Sequence, residues 1–168
     1  MHGKARVYRL RPPLGRLIAN DESLHTNRFP LEDGNPYELG WFVGLMDGEG
    51  FIHVHYRKNR NTTHPRLRIY CTSKEIIAEA CRLLGVNPYP RRDHGKLVGW
   101  YTQVSELKAI GVLRIIAPHL TEPSKRCRAR RILSVFGDAG TIHELHRSID
   151  FFKGCPPPTR LRKPRSVL

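Results

Sequence analysis

Gly40-Trp41-Phe42-Val43-Gly44-Leu45-Met46-Asp47-Gly48-Glu49-Gly50-Phe51-Ile52 is the stretch on which the reading of this chain turns. Gly40, Gly44 and Gly48 recur every four residues, so they fall roughly along one face of a helix. A face without side chains lets another backbone approach closely. The two carboxylates, Asp47 and Glu49, arrive only where the helix gives out, and an alternating segment follows. A helix built for close contact thus delivers acid at its end.

Working outward, Asn35-Pro36-Tyr37-Glu38 supplies a helix start: an N-cap residue, a proline in the first turn and an acid near the positive helix end. On the other side, Ile52, Val54 and Tyr56 alternate with Phe51, His53, His55 and Arg57. After the polar loop Lys58–His64, Arg66, Arg68, Tyr70 and Thr72 share the face of a second alternating run. Period-two alternation on both sides of a polar turn predicts a hairpin, one face apolar and the other positive. Thr72-Ser73-Lys74-Glu75 reads as a capping box opening a helix that turns Ile76, Ile77, Ala80, Leu83 and Leu84 inward and stops at Gly85. A second hairpin is expected over Val86–Arg92 and Leu97–Val104, around Asp93-His94-Gly95-Lys96. Ser105 is expected to cap a helix over Glu106–Ile116, with further helices at about Ser124–Phe136 and Thr141–Phe152.

The expected class is α+β, in the order α-β-β-α-β-β-α, with helices on one face of a four-stranded antiparallel sheet. Residues 1–35 read as an irregular basic arm, 36–153 as a single domain, and 154–168 as a proline-rich basic tail, extended and mobile.

The chain has 168 residues, long enough for a sizeable core. Its 29 Lys+Arg against 15 Asp+Glu leave a net charge of +14, which suits a polyanion, and nucleic acid is the commonest one. Cys71, Cys81, Cys127 and Cys155 are scattered without a C-x-x-C pair, at no finger-like spacing with the nine histidines. They read as thiols in a reducing compartment. No apolar run approaches the roughly 20 residues needed to cross a bilayer. The basic first twenty residues hint at a transit peptide, but Pro12-Pro13 breaks any amphipathic helix there. An intracellular protein is expected, in cytoplasm, nucleoid or an organelle, with no membrane partner.

Phe42 to Gly50 resembles the nonapeptide that names the LAGLIDADG homing endonucleases. Gly44, Leu45, Asp47 and Gly50 are identical to it, Met46 and Glu49 are conservative, and Gly48 is small in place of alanine. Phe42 and Val43 depart from the first two letters but stay apolar. The element order over about residues 36–136 is also the family's. The resemblance implies a site-specific double-strand DNA endonuclease of intron homing. With one copy of the motif it implies a homodimer joined at Gly40, Gly44 and Asp47, cutting a long pseudo-palindromic site. It further implies divalent metal, Mg²⁺ at two or more per dimer, with Mn²⁺ or Ca²⁺ able to substitute for binding. Glu49 and the carbonyl of Gly48 would be the ligands, and Asp47 a structural acid.

Two further positions carry over from the family. Ser73 falls where a polar residue positions water, and it equally suits a helix cap. Lys125 falls where a lysine approaches the attacked phosphate, and it also belongs to a basic run with Arg126, Arg128, Arg130 and Arg131. The DNA-reading candidates on the hairpin faces are His53, His55, Arg57, Arg66, Arg68, Tyr70 and Arg91. A competing function on the same fold is a non-cutting nucleic-acid binder, such as an RNA maturase with intron RNA as partner. A plain basic RNA-binding protein is the third reading, and it leaves the glycine-spaced helix without a purpose.

Overall fold

Pro36 to Glu49 form the first helix, α1, because both ends are marked. Asn35 stays extended and its Oδ1 accepts the Glu38 amide at 3.0 Å. At the far end Gly50 leaves the helix, and a Cβ built there would lie 2.6 Å from the Met46 carbonyl oxygen. The last residue of the nonapeptide is therefore glycine for a steric reason. It lets helix pass into strand without a gap.

The computed structural model describes residues 30–137, 139–143 and 151–158. After α1 come β1 (Gly50–Arg57), β2 (Thr62–Cys71), α2 (Lys74–Leu84), β3 (Tyr89–Asp93), β4 (Lys96–Ser105), α3 (Glu106–Ile116), α4 (Pro123–Phe136) and a two-residue β5 (Ile142–His143). The four long strands pair antiparallel in the order β1-β2-β4-β3. The expected α+β class and α-β-β-α-β-β-α order are thus the observed ones.

Alternation sorts the sheet into two faces. Ile52 and Val54 of β1, Leu67 and Ile69 of β2, and Thr102 and Val104 of β4 are buried, and the helices pack against them. Phe42 and Met46 of α1, Ile77 and Leu84 of α2, Ile110 and Leu113 of α3, and Ala129 and Ile132 of α4 complete one core. No helix among the described residues is long and apolar enough to cross a membrane.

Local details differ from the sequence reading. The first hairpin turn is shorter than expected: Lys58–Arg60 form a single 3-10 turn, Asn61 takes φ 48°, and β2 begins at Thr62. The N-cap of α2 is Ser73, not Thr72; its Oγ accepts the Ile76 amide at 3.3 Å and donates to Glu75 Oε2 at 2.8 Å. Ser105 precedes α3 without a side-chain capping bond. Ile142 and His143, expected to open a helix, form β5 against Thr63 and Thr62. Those two residues lie beyond Arg66, where β4 stops pairing, so an open strand edge recruits them against their local preference.

The cysteines require a larger correction. Cys127 and Cys155 form a disulfide with Cα atoms 5.7 Å apart, while Cys71 and Cys81 are free. Two cysteines 28 residues apart give no spacing signal, because their approach depends on how the chain after α4 folds back. The expected mobile tail is accordingly tied down as far as it is described. The expected N-terminal arm and the end of the tail lie largely outside the described residues.

Candidate functional site

The end of α1 is held by a lattice of contacts that divides labour between its two acids. Asp47 Oδ2 accepts the Thr121 amide at 2.8 Å and the Thr121 hydroxyl at 2.6 Å, and Oδ1 accepts the Glu122 amide at 3.2 Å. Its carboxylate therefore pins the α3–α4 connection to α1 within one chain. Glu49, two residues on, is exposed and has no hydrogen bond or ion pair among the described residues.

Pinning that connection positions α4. Glu122 is the N-cap, its Oε2 accepting the Lys125 amide, and Lys125 extends its side chain back to α1. Lys125 Nζ donates to the carbonyls of Met46 at 2.8 Å and Asp47 at 2.5 Å, and stands 3.4 Å from that of Gly48. Cationic ammonium on the negative end of a helix is a favourable placement. Burial nevertheless pushes the Lys125 pKa below its usual value, against the pull of Glu122, Asp47 and Glu49.

Gly48, Glu49, Gly50, Phe51, Ile52, His53, Ser124, Lys125, Arg128 and Pro158 line a half-open cavity of about 430 Å³. The structure thus brings together Glu49, Gly48, Lys125 and His53 of the sequence candidates. Ser73 is not among the lining residues; it serves as the cap of α2. Ser124 and Arg128 were missed. They flank Lys125 at i−1 and i+3 on α4, so helical spacing from Lys125 could have found Arg128. Ser124 is 1% exposed, and its Oγ has no hydrogen-bond partner among the described residues.

The open face of the sheet continues from this cavity. Cross-strand pairing sets Phe51 opposite Arg68, His53 opposite Arg66, and Arg68 in turn opposite Gln103. Arg68 donates to Gln103 Oε1 at 2.9 Å and lies over the Tyr101 ring at 5.3 Å. Arg91 lies over the Tyr70 ring at 4.6 Å, and Tyr89 stacks on Tyr101. The side of Tyr70 fits because β4 has glycine at 99, where an added Cβ would come within 2.6 Å of the Tyr70 hydroxyl. Arg57 is ion-paired with Glu106 at 2.7 Å, so part of its charge is answered inside the chain. The Nε atoms of Arg66, Arg68 and Arg128 are buried and without partners among the described residues.

The three histidines of this face are neutral at physiological pH. Burial first, then Arg66 and other nearby cations, hold His53 at about 4. Burial, Arg57 and Arg66 put His64 at about 4 as well, and His55 is lowered for the same kinds of reason. They therefore offer hydrogen bonds and ring edges, while the arginines supply the charge.

One stripe of α1 remains bare. Gly40, Gly44 and Gly48 are exposed, a Cβ added to any of them would meet nothing within 4 Å, and Tyr37 at the head of the stripe is 82% exposed. Trp41 and Leu45 flank it, partly buried.

No protein-family model and no curated protein matches the sequence. Solved structures do match in shape. The homing endonuclease I-CvuI, in complex with its target in the presence of 2 mM Ca, superposes with a TM-score of 0.50 at 18% identity, over 61% of this chain and 69% of that one. I-CeuI, a group I intron-encoded homing endonuclease complexed with DNA, gives 0.49 at 10% identity, over 61% of this chain and 55% of that one. The homing endonuclease I-TnaI gives 0.45 at 16%, over 57% and 69%. The first of these carries the fold: the chain has the architecture of the LAGLIDADG homing endonucleases, in agreement with the motif at residues 42–50.

Proposed function

We propose that this chain is a site-specific, divalent-metal-dependent DNA endonuclease that works as a homodimer. The observation that carries the reading is that an uncommitted Glu49 and Lys125 line one cavity at the end of a glycine-faced helix, at the edge of a basic sheet face. The bare stripe of α1 supports a two-fold seam. Two copies meeting there would set two Glu49 carboxylates close together and extend two sheet faces over a long duplex.

The donors suit a hard cation. Glu49 carboxylate and Gly48 carbonyl are oxygen ligands of the kind Mg²⁺ takes, though Lys125 already stands near the latter. Among the described residues no three His, Cys, Asp or Glu side chains cluster as a closed metal cage. That fits a cation shared with water, phosphate oxygens and a second chain. When bound, such a cation would neutralise phosphate charge and supply a more acidic water.

The chain's own residues have separable tasks. Lys125 holds the ends of α1 and α4 together and presents positive charge to a phosphate entering the cavity. Its lowered pKa makes proton exchange at Nζ easier than for a surface lysine. Arg66, Arg68 and Arg91 face the duplex, where bidentate contacts to guanine or single contacts to phosphate are open to them. Neutral His53 and His55 add hydrogen bonds without charge. Asp47 keeps the geometry.

The test is a randomised duplex library incubated with the protein and Mg²⁺, with cleaved ends sequenced. Cleavage at a defined site, lost in Glu49→Gln while duplex binding persists, is the expected result. Undiminished cutting by Glu49→Gln sinks the assignment of the acid. Tight binding of structured RNA with no cleavage of any duplex would favour the maturase reading instead.

A further inference from the structure

Lys125 brings a charge to the cavity, but its protons are already engaged. An ammonium has three of them. The carbonyl oxygens of Met46, Asp47 and Gly48 stand 2.8, 2.5 and 3.4 Å from Nζ, one acceptor for each. Arg128 is in the opposite state. It lines the same cavity, half-buried, and a guanidinium carries five N–H donors. One of them, on Nη1, reaches the Ile52 carbonyl at 3.3 Å; the others have no hydrogen-bond partner among the described residues, the buried Nε included. Nor has Arg128 an ion pair among those residues, although Glu49 lines the same cavity. A half-buried cation with no counter-charge is an unfavourable arrangement. Its field also reaches His53, on the cavity wall, and helps to keep that ring neutral. Ser124, one turn earlier on α4, lines the cavity too, with its buried Oγ unpartnered among the described residues. A single anion would answer both side chains.

We infer that Arg128 is the residue that hydrogen-bonds the DNA phosphate entering this cavity, and that Phe152 is the residue that positions it. The inference rests on the nuclease reading above and assigns that site a phosphate-binding group. The Arg128 guanidinium lies 4.5 Å over the Phe152 ring. Stacking occupies the flat face of a guanidinium and leaves its N–H edges free for bonds in the plane, where they match two phosphate oxygens at once. The ring is itself held in place. Arg131 Nη1 donates to the carbonyls on either side of it, Phe151 at 3.0 Å and Lys153 at 2.5 Å. Phe151 packs against Phe136, and Cys155 is bonded covalently to Cys127 of α4. Phe152 therefore acts through Arg128, fixing the direction of the fork. Lys125 adds charge beside it, and Arg128 supplies the donors.

An arginine that merely ties α4 to β1 through the Ile52 carbonyl would leave the salt dependence of DNA binding unchanged when its charge is removed. The full chain is therefore compared with Arg128→Gln, Arg128→Lys and Phe152→Leu. Each is titrated with a mixed-sequence duplex across a series of KCl concentrations, and each is timed in single-turnover cleavage of the library-selected site with Mg²⁺. Losing one phosphate contact lowers the slope of log Kd against log salt by about 0.9 per chain, the fall expected for Arg128→Gln. A slope equal to the parent's overturns the proposal. Arg128→Lys keeps the charge and loses the fork, so it should restore the slope while cleaving roughly tenfold or more slowly than the parent. Cleavage at the parent's rate overturns the fork, and this arm decides alone if Arg128→Gln does not fold. Phe152→Leu should keep the slope and slow cleavage several-fold; an unchanged rate overturns the positioning role. A parent chain that binds no duplex, or binds without cutting, removes the nuclease reading itself, an outcome visible before any variant is compared.

Discussion

Replacing Gly44 by alanine separates the chain's own stability from its association. In one chain the added methyl meets nothing within 4 Å, so nothing opposes it sterically. Glycine in a helix interior is about 0.8–1 kcal/mol worse than alanine, so the substitution should stabilise the folded chain by that amount. For a protein of this size that raises Tm by about 2–4 °C. In a two-fold dimer seamed along Gly40, Gly44 and Gly48, symmetry places both new methyls in one contact. Overpacking a close contact costs about 1–3 kcal/mol per site, so association loses about 2–6 kcal/mol. That is roughly 30-fold to 10⁴-fold in the dimer dissociation constant. Sedimentation equilibrium across a concentration series measures the constant, and melting at the lowest concentration measures the chain alone. Gly44→Ala with a raised Tm and a dimer constant changed less than threefold would show that the bare stripe is not the seam.

The two acids of the motif should part company. Asp47→Ala removes an acceptor of three hydrogen bonds, and bonds to charged groups contribute about 1.5–3 kcal/mol, so a Tm drop of several degrees is expected, while Glu49→Gln melts like the parent. Equal melting of both variants would refute that division. Stability should also fall with acid: His53 and His64 have folded pKa values near 4 against a usual 6.5, so their contribution is complete above pH 6.5 and is lost as pH falls toward 4. At pH 5.5 linkage gives on the order of 1 kcal/mol for each, and a His53→Gln chain should show a flatter curve of Tm against pH. A slope identical to the parent's would contradict the buried neutral state. Reduction of the disulfide, which closes a separation of 28 residues, should cost up to about 3.5 kcal/mol by loop-entropy reasoning, read as a lower Tm in reductant.

Local pattern determined much of this protein. Alternation at residues 51–57 and 66–72 fixed which side chains are buried and which are basic and open, because a strand's side chains must alternate. Capping residues and glycines bounded α2 and the start of α1 to within a residue, since those ends are set by local hydrogen bonds, while α1 runs two residues past Asp47, to Glu49. The nonapeptide singled out Glu49, and its glycine spacing singled out the face of α1 that the structure leaves bare. What tertiary structure decided depends on residues far apart in the chain. Asp47 became an intrachain brace because Thr121 lands beside it, 74 residues away. Ser124 and Arg128 entered the cavity because that brace sets where α4 begins. Cys127 and Cys155 met, and Pro158 came to line the same cavity as Glu49, only because the chain folds back along α4, an outcome that no spacing of residues encodes.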